Sequence, residues 1–347
     1  MEYYFIQPKK LLAVDDTIII ESVLDFDLTN DFCIDAKSYN MFTRLKTNRR
    51  LKIDGNVLYI FADEGKYKTA LIDKVAPKIE IGAIKNQNVY NNRVLQFACN
   101  FVSTSNTRPL LTGVLFDDFG GVYATDTFKL YKCGDNFAHK PLWSVPVAFI
   151  KELKENDYTL IFTDNYVVYR GDRNIYSRLY VGDVPDINKV IKTNNPNIIT
   201  FTKPDKLAFL PCEYIDVKIK DNNIEFILHD DTSEFRFNTP CTAMGDIDIR
   251  FNYEQFNTAL KLFDSTVEIR LDDALKPAYM NKGNEHIILM PMRVLWNWWR
   301  VARWRTRRNK EGFRRMKLFT NQNNYTIYNG SMLNLLDVIK PNSIDSV

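Results

Sequence analysis

The chain repeats itself, and the repeat length limits what it can fold into. Segments beginning at Phe32, Trp143 and Ile249 share one pattern, with starts roughly 105–110 residues apart. Each opens with a short apolar strand. A helix of two to three turns follows, with apolar residues at helical spacing: Tyr39, Phe42 and Leu45; Phe149, Ile150 and Leu153; Phe256, Leu260 and Phe263. Three alternating strands come next, separated by the turn pairs Asp54-Gly55, Asp164-Asn165 and Lys282-Gly283.

A second unit lies between these segments. Residues 89–133 read as a helix over 92–102, a loop, and strands around Phe119-Gly120-Gly121. Residues 203–241 repeat this with a shorter helix over 203–212. Each full repeat is therefore one domain of two similar helix-plus-strand halves. Hairpin turns join the strands and βαβ alternation is absent, so the class is α+β with antiparallel sheets. The expected domains are 1–82, 83–193 and 194–294. The first has strands before Phe32 but no opening strand and helix. Residues 316–347 offer a strand and then a helix over 332–339. That resembles the missing opening, as if the chain were circularly permuted or rejoined within its first domain.

Composition is that of a globular protein: 347 residues, 45% hydrophobic, 26% charged, 13 Gly and 13 Pro. This excludes disordered and collagen-like classes. No apolar run approaches the length of a membrane-spanning helix, and the N-terminus lacks a signal-peptide pattern. The five cysteines (Cys33, Cys99, Cys133, Cys212, Cys241) sit in apolar stretches without CxxC spacing. They are expected to be reduced, buried thiols of a cytoplasmic protein. The three histidines lack metal-ligand spacing, and no cofactor or metal is expected. Charge is uneven. Residues 295–315 carry eight basic residues, one acid and four of the five Trp; the whole chain is +3, so removing this +7 leaves the remainder at −4. A slightly acidic body argues against gripping DNA by bulk charge.

Several segments, in order, resemble the bacterial-type sliding clamp, the beta subunit of DNA polymerase III. They are STSNTRPLLTGVL (103–115), YATDTFKL (123–130), Ser177-Arg178-Leu179 with Val184-Pro185-Asp186, and LMPMRV (289–294). The resemblance implies a ring-forming DNA clamp fold of three similar domains. It implies a head-to-tail homodimer around double-stranded DNA, without catalysis, cofactor or membrane. The partners implied are DNA polymerase, a clamp loader and other proteins with a clamp-binding motif. The family's peptide pocket, carried over by motif, falls on Leu111, Thr125, Thr127, Phe128, Lys129, Leu130, Met290, Pro291, Met292, Arg293 and Val294. Thr127-Phe128-Lys129 stands where the family usually has Gly-His-Arg, which makes the pocket bulkier. The segment also does not stop after Val294, so Trp296, Trp298 or Trp299 could cover the pocket. Candidate DNA-facing cations are Arg44, Arg93, Arg108, Lys151, Lys154, Lys189, Lys206 and Lys261. A solvated helix face is the plainer reading of each.

Residues 295–315 leave three readings open. They are an arm that binds phosphates with Arg and stacks bases on Trp, a linker carrying 316–347 to a first domain, or spacer sequence upstream of a start at Met316. The competing enzyme class would use paired acids, Asp15-Asp16, Asp117-Asp118, Asp230-Asp231 and Asp272-Asp273, as Mg²⁺ ligands of a nuclease. Each pair sits at a strand end or turn, where Asp is favoured locally. No nucleotide-binding, hydrolase or zinc-protease motif accompanies them.

Overall fold

The computed structural model describes residues 1–24, 30–45, 49–134, 139–183, 187, 197–204, 212–229 and 234–292, with the backbone of 317–322 and 325–329. The chain divides into two units, Met1–Met292 and Arg293–Val347. The first domain of the larger unit has β1 (Tyr3–Gln7), β2 (Lys10–Val14), β3 (Ile18–Val23), β4 (Phe32–Asp35), α1 (Ala36–Arg44), β5 (Arg50–Asp54), β6 (Val57–Ala62) and β7 (Gly65–Ala70). The second opens with β8 (Asn86–Asn91), α2 (Asn92–Ala98) and a 3-10 turn (Pro109–Thr112), then β9 (Gly113–Phe116), β10 (Val122–Thr125) and β11 (Lys129–Cys133). Its other half is β12 (Trp143–Pro146), α3 (Val147–Glu152), β13 (Asp157–Phe162), β14 (Tyr166–Arg170) and β15 (Asn174–Arg178). The third has β16 (Asn197–Thr202), β17 (Tyr214–Lys220), β18 (Asn223–His229), β19 (Glu234–Ala243), β20 (Ile247–Asn252), α4 (Tyr253–Leu260), β21 (Thr266–Leu271), β22 (Ala278–Lys282) and β23 (Glu285–Leu289). In the smaller unit β24 (Lys317–Gln322) and β25 (Tyr325–Asn329) pair as an antiparallel hairpin.

One hydrogen bond marks the repeat three times. The N–H of Ile72 donates to Cys33 O (2.9 Å), that of Tyr180 to Ser144 O (3.0 Å), and that of Met292 to Arg250 O (2.7 Å). Each acceptor lies three residues before the first residue of α1, α3 or α4. The chain leaving the last strand of each half thus returns to the strand that feeds its helix. Local chemistry starts the helices. Asp35 accepts from Ser38 N–H, Asn91 from Arg93 N–H and Asn252 from Gln255 N–H, each satisfying a donor that the first turn leaves open. Pro146 precedes α3 instead and offers no side-chain cap.

Antiparallel sheets run across the domain boundaries. One has the order β4-β1-β2-β3-β15-β14-β13-β8, so first- and second-domain strands meet at β3–β15. Another begins β12-β9-β10-β11-β23-β22-β21-β16, so the second and third domains meet at β11–β23. There Leu130 faces Ile288 and Cys133 faces Glu285. Every residue of β9 and β10 is buried, because this sheet is covered on both faces. One side is covered by α2, the other by an apolar cluster that includes Leu111 and Ile187. The main core gathers the inward residues of both sheets with the helix faces, including Phe101, Phe149, Phe226 and Phe256.

The structure corrects several expectations. Helix α2 ends at Ala98 rather than at residue 102, and Asn100 and Phe101 close a tighter turn through N–H bonds to Phe97 O and Ala98 O. Only Cys33 is buried among the five free thiols; the other four are half-buried, at strand or helix ends where solvent reaches one side. After Met316 the chain forms a two-stranded hairpin rather than one strand followed directly by a helix. The helix expected over 332–339 lies outside the described residues, as does most of 203–212. The three-domain core makes one plain prediction. Phe256 is fully buried between β18 and β20, against the Phe226 and Phe251 rings. Phe256→Ala should cost about 3–5 kcal/mol of stability, read by denaturant unfolding.

Candidate functional site

The β11–β23 pairing brings together segments some 160 residues apart in sequence. On one side is the turn between β10 and β11. The Asp126 carboxylate accepts from the N–H groups of Phe128 (2.9 Å) and Lys129 (2.8 Å). The Thr125 hydroxyl donates to Lys129 O (2.7 Å) and accepts from Thr127 N–H (3.1 Å). These bonds hold Thr127 at φ +84°, a region that favours glycine. The turn leaves the Phe128 ring 62% exposed. On the other side, Met290 N–H donates to Phe128 O (2.8 Å), and Met292 N–H is held by Arg250 O. Met290 and Met292 are both exposed, with Pro291 half-buried between them. Leu111, Thr125 and Leu130 are buried, and Leu111 and Leu130 form the floor with Leu115, Tyr123, Tyr279 and Ile288. The described pocket residues therefore converge on one apolar surface. Arg293 and Val294 lie outside the described residues.

Lys129 is the exception. Its ammonium donates to Asn100 O (2.7 Å), lies 3.7 Å from Asp126 and is mostly covered. The expectation of a free cation lining the pocket is corrected to a clip on a carbonyl just past the end of α2. The sequence reading also missed the aromatic floor. Tyr123 and Tyr279 are alternating strand residues like any others, and only the sheet order puts them together. Tyr123 has a polar anchor beneath it. Its hydroxyl donates to the buried Asp117 carboxylate (2.7 Å), which also accepts from the N–H groups of Phe119 and Gly121. A Cβ on Gly121 would sit 2.2 Å from Asp117 Oδ2, so only glycine fits there. Burial pushes the neighbouring Lys132 ammonium down to about 8, against the opposing pull of Asp117. On the third-domain side, Arg250 grips Asp216 through two bonds (2.5 and 2.7 Å), and His229 Nε2 lies 2.9 Å from the same carboxylate. This network stiffens the strand whose carbonyl holds Met292.

The candidate cations are distributed over helix ends and loops. Arg44 lies in the last turn of α1 and Lys151 in that of α3; Lys154 follows α3 and Lys261 follows α4. All four are exposed, and a basic residue near a helix C-terminus also offsets the helix dipole. Arg108 is exposed just before the 3-10 turn. Arg93, at the start of α2, is ion-paired with the buried Glu285, which also accepts from the Tyr131 hydroxyl (2.6 Å). Arg93 thereby clips the second domain to the third. Lys189 and Lys206 lie outside the described residues. The acid pairs act locally: Asp15 accepts from Thr17 and Ile18 N–H, and Asp273 from Leu275 and Lys276 N–H. Among the described residues no three His, Cys, Asp or Glu side chains converge as a metal site. Asp230 and Asp231 are outside them.

No family model matches the chain. It is 25% identical over 224 residues to the beta sliding clamp of Staphylococcus aureus, an alignment covering 56% of this chain. The chain spans 59% of the length of the curated relatives it matches. Among solved structures, the DNA polymerase III subunit beta of Pseudomonas aeruginosa superposes with a TM-score of 0.71 at 14% identity, covering 84% of this chain and 92% of that one. The beta chain of Streptococcus pneumoniae gives 0.71 at 18% identity, with 84% and 91% covered. The chain thus has the DNA clamp fold of bacterial DNA polymerase III beta subunits and resembles the beta sliding clamp in sequence.

Proposed function

We propose that the chain is a sliding clamp, a processivity factor that encircles duplex DNA and tethers a replicative DNA polymerase. The observation that carries this is the convergence of the 125–130 turn with Met290–Met292 at a sheet junction of clamp fold. A clamp works by topology rather than by chemistry. It needs a closed body, weak contact with the DNA it surrounds, and a surface that holds partners. A body of net charge −4 outside 295–315 suits sliding, because many neutralised phosphates would act as a brake. Arg44, Arg108, Lys151, Lys154 and Lys261 would supply sparse steering contacts, with Lys189 and Lys206 as further candidates. Arg93 would contribute only with the part of its guanidinium not held by Glu285.

The apolar surface around Leu111, Leu130, Phe128, Met290 and Met292 suits a short apolar peptide. Thioethers adapt to different side chains, so one surface serves several partners, such as polymerase, loader and repair proteins. The exposed Phe128, where a smaller residue is usual, narrows the choice to peptides that can pack against a ring.

Head-to-tail pairing of two copies is supported by two open strand edges. Leu71 N–H donates to Asn56 O, which makes Ala70 and Val57 a non-hydrogen-bonded pair. The backbone N–H groups of Lys66 and Lys68 therefore point away from β6. By the same alternation, from Cys241 N–H to Asn222 O, those of Glu234, Arg236 and Asn238 on β19 point away from β18. Neither row has a partner strand among the described residues. Two such edges complete each other.

Three measurements test this. Met292→Ala and Phe128→Ala should each weaken binding of a fluorescent Leu/Phe-rich peptide roughly tenfold, since each removes about 1–2 kcal/mol of apolar contact. Unchanged affinity would exclude this surface. Light scattering should give the full chain a mass near twice 40.6 kDa. Lys68→Pro removes an edge donor without touching the β6 ladder and should halve that mass. Finally, protein loaded on closed circular DNA should survive a high-salt wash and leave after linearisation. Binding by the Trp/Arg segment alone would instead fall with salt at a log–log slope of roughly −6 for seven phosphates, and would sink the ring.

A further inference from the structure

The repeat exposes an unfilled position in the first domain. In the second domain β8 pairs along the outer edge of β13, and α2 packs on α3. In the third, β16 pairs in the same way along β21. The corresponding strand of the first domain is β5, which follows α1 as β13 follows α3 and β21 follows α4. It pairs with β6 on one side and, among the described residues, with nothing on the other.

Burial follows the same division. The second and fourth residues are Tyr158 and Leu160 in β13 and Val267 and Ile269 in β21, all at most 2% exposed. In β5 they are Leu51 and Ile53, only half-buried. The helices agree. At equal offsets from the helix start, Ile150 and Leu153 after α3 begins, and Phe256 and Ala259 in α4, are at most 2% exposed. Tyr39 and Phe42 of α1 are half-buried. Ser38 is the one residue of α1 that is buried. An open strand edge beside half-covered aromatic and aliphatic side chains is a slot for one strand and one amphipathic helix.

We infer that residues 316–347 of this chain fill that slot. The length and pattern fit. β24 has six residues, as do β8 and β16, and it has β25 on one edge only. The sequence MLNLLDVI over 332–339 carries apolar residues at Met332, Leu333, Leu335, Leu336, Val338 and Ile339, enough for a helix face against Tyr39 and Phe42. The tether is long enough. Residues 293–316, extended, reach roughly 80 Å, several times the ~13 Å radius of a domain of ~100 residues. The Trp/Arg-rich stretch then acts as a strap between the third domain and a first domain, and the C-terminal segment is structural.

Hydrogen exchange tests this without DNA or peptide, so its outcome is independent of the clamp proposal. Amides of α1 and β5 would be compared between the full chain and Leu335→Asp/Leu336→Asp in the full chain, with α3 and β13 as internal reference. Deletion of 316–347, followed by adding the 316–347 peptide back, gives the second arm. Exchange in α1 and β5 should rise roughly tenfold or more in both variants, as expected when a cooperative unit loses its cover. The reference elements should be unchanged, and the added peptide should restore protection to the deleted chain. Equal exchange in α1 and β5 with and without the segment would overturn the inference. So would restoration by a scrambled peptide of the same composition. If the deletion unfolds all three domains, the full-chain double substitution decides by the same criterion.

Discussion

Antiparallel pairing of strands across domain boundaries is the constraint on which the other features depend. At β3–β15 and β11–β23 one domain's sheet continues as the next domain's, so no hinge separates them. A strand pair cannot slip by one residue without turning buried side chains outward. The pairing therefore fixes not only that the domains touch but which residues face one another. It sets Leu130 opposite Ile288, and that register puts Phe128 O within reach of Met290 N–H. On the other side of the same junction it places Glu285 between Arg93 and Tyr131, where a buried carboxylate has both a cation and a hydroxyl donor.

The two junctions share a plan and differ in their cover. Along the first, the connection after β7 lies over the sheet. Ile72 and Ala76 pack on Phe5, Leu12 and Cys33, and Ile79 and Ile81 pack on Ile161, Val168 and Tyr176. Along the second, the apolar floor meets Ile187, but Met290, Met292 and Phe128 stand at the surface. A surface of adaptable thioethers and one exposed ring, on a floor fixed by Tyr123 and Asp117, combines a rigid base with a pliable rim. The same fold element thus serves as internal packing at one junction and as an available apolar surface at the other.

Much of this was legible in the residues. Alternating apolar positions, the turn pairs at Asp54-Gly55 and Lys282-Gly283, and the spacing of Phe32, Trp143 and Ile249 led to antiparallel halves in repeated domains. Gly55 and Gly283 do adopt positive φ in those turns. The motif at 123–130 and the ending at 289–294 named the segments that meet, though not the contact. Boundaries were less readable. The end of α2 was set by tertiary packing of Phe97 and Phe101 against Tyr131, which nothing in residues 92–102 announces. The hairpin after Met316 likewise replaced a single strand.

The sequence by itself determined the local conformations and their order: which stretches alternate, which turn, where a helix can start, and that the pattern recurs three times. Those are short-range properties of neighbouring side chains and backbone angles. Tertiary structure decided what depends on partners distant in the chain. It turned Lys129 toward the Asn100 carbonyl, spent part of Arg93 on Glu285, and set Tyr123 and Tyr279 under the same surface. It also left Leu51, Ile53, Tyr39 and Phe42 half-covered while their counterparts in the other two domains are buried. A side chain's burial and partners follow from which strand edge lies beside it, and that edge is chosen only when the sheets assemble.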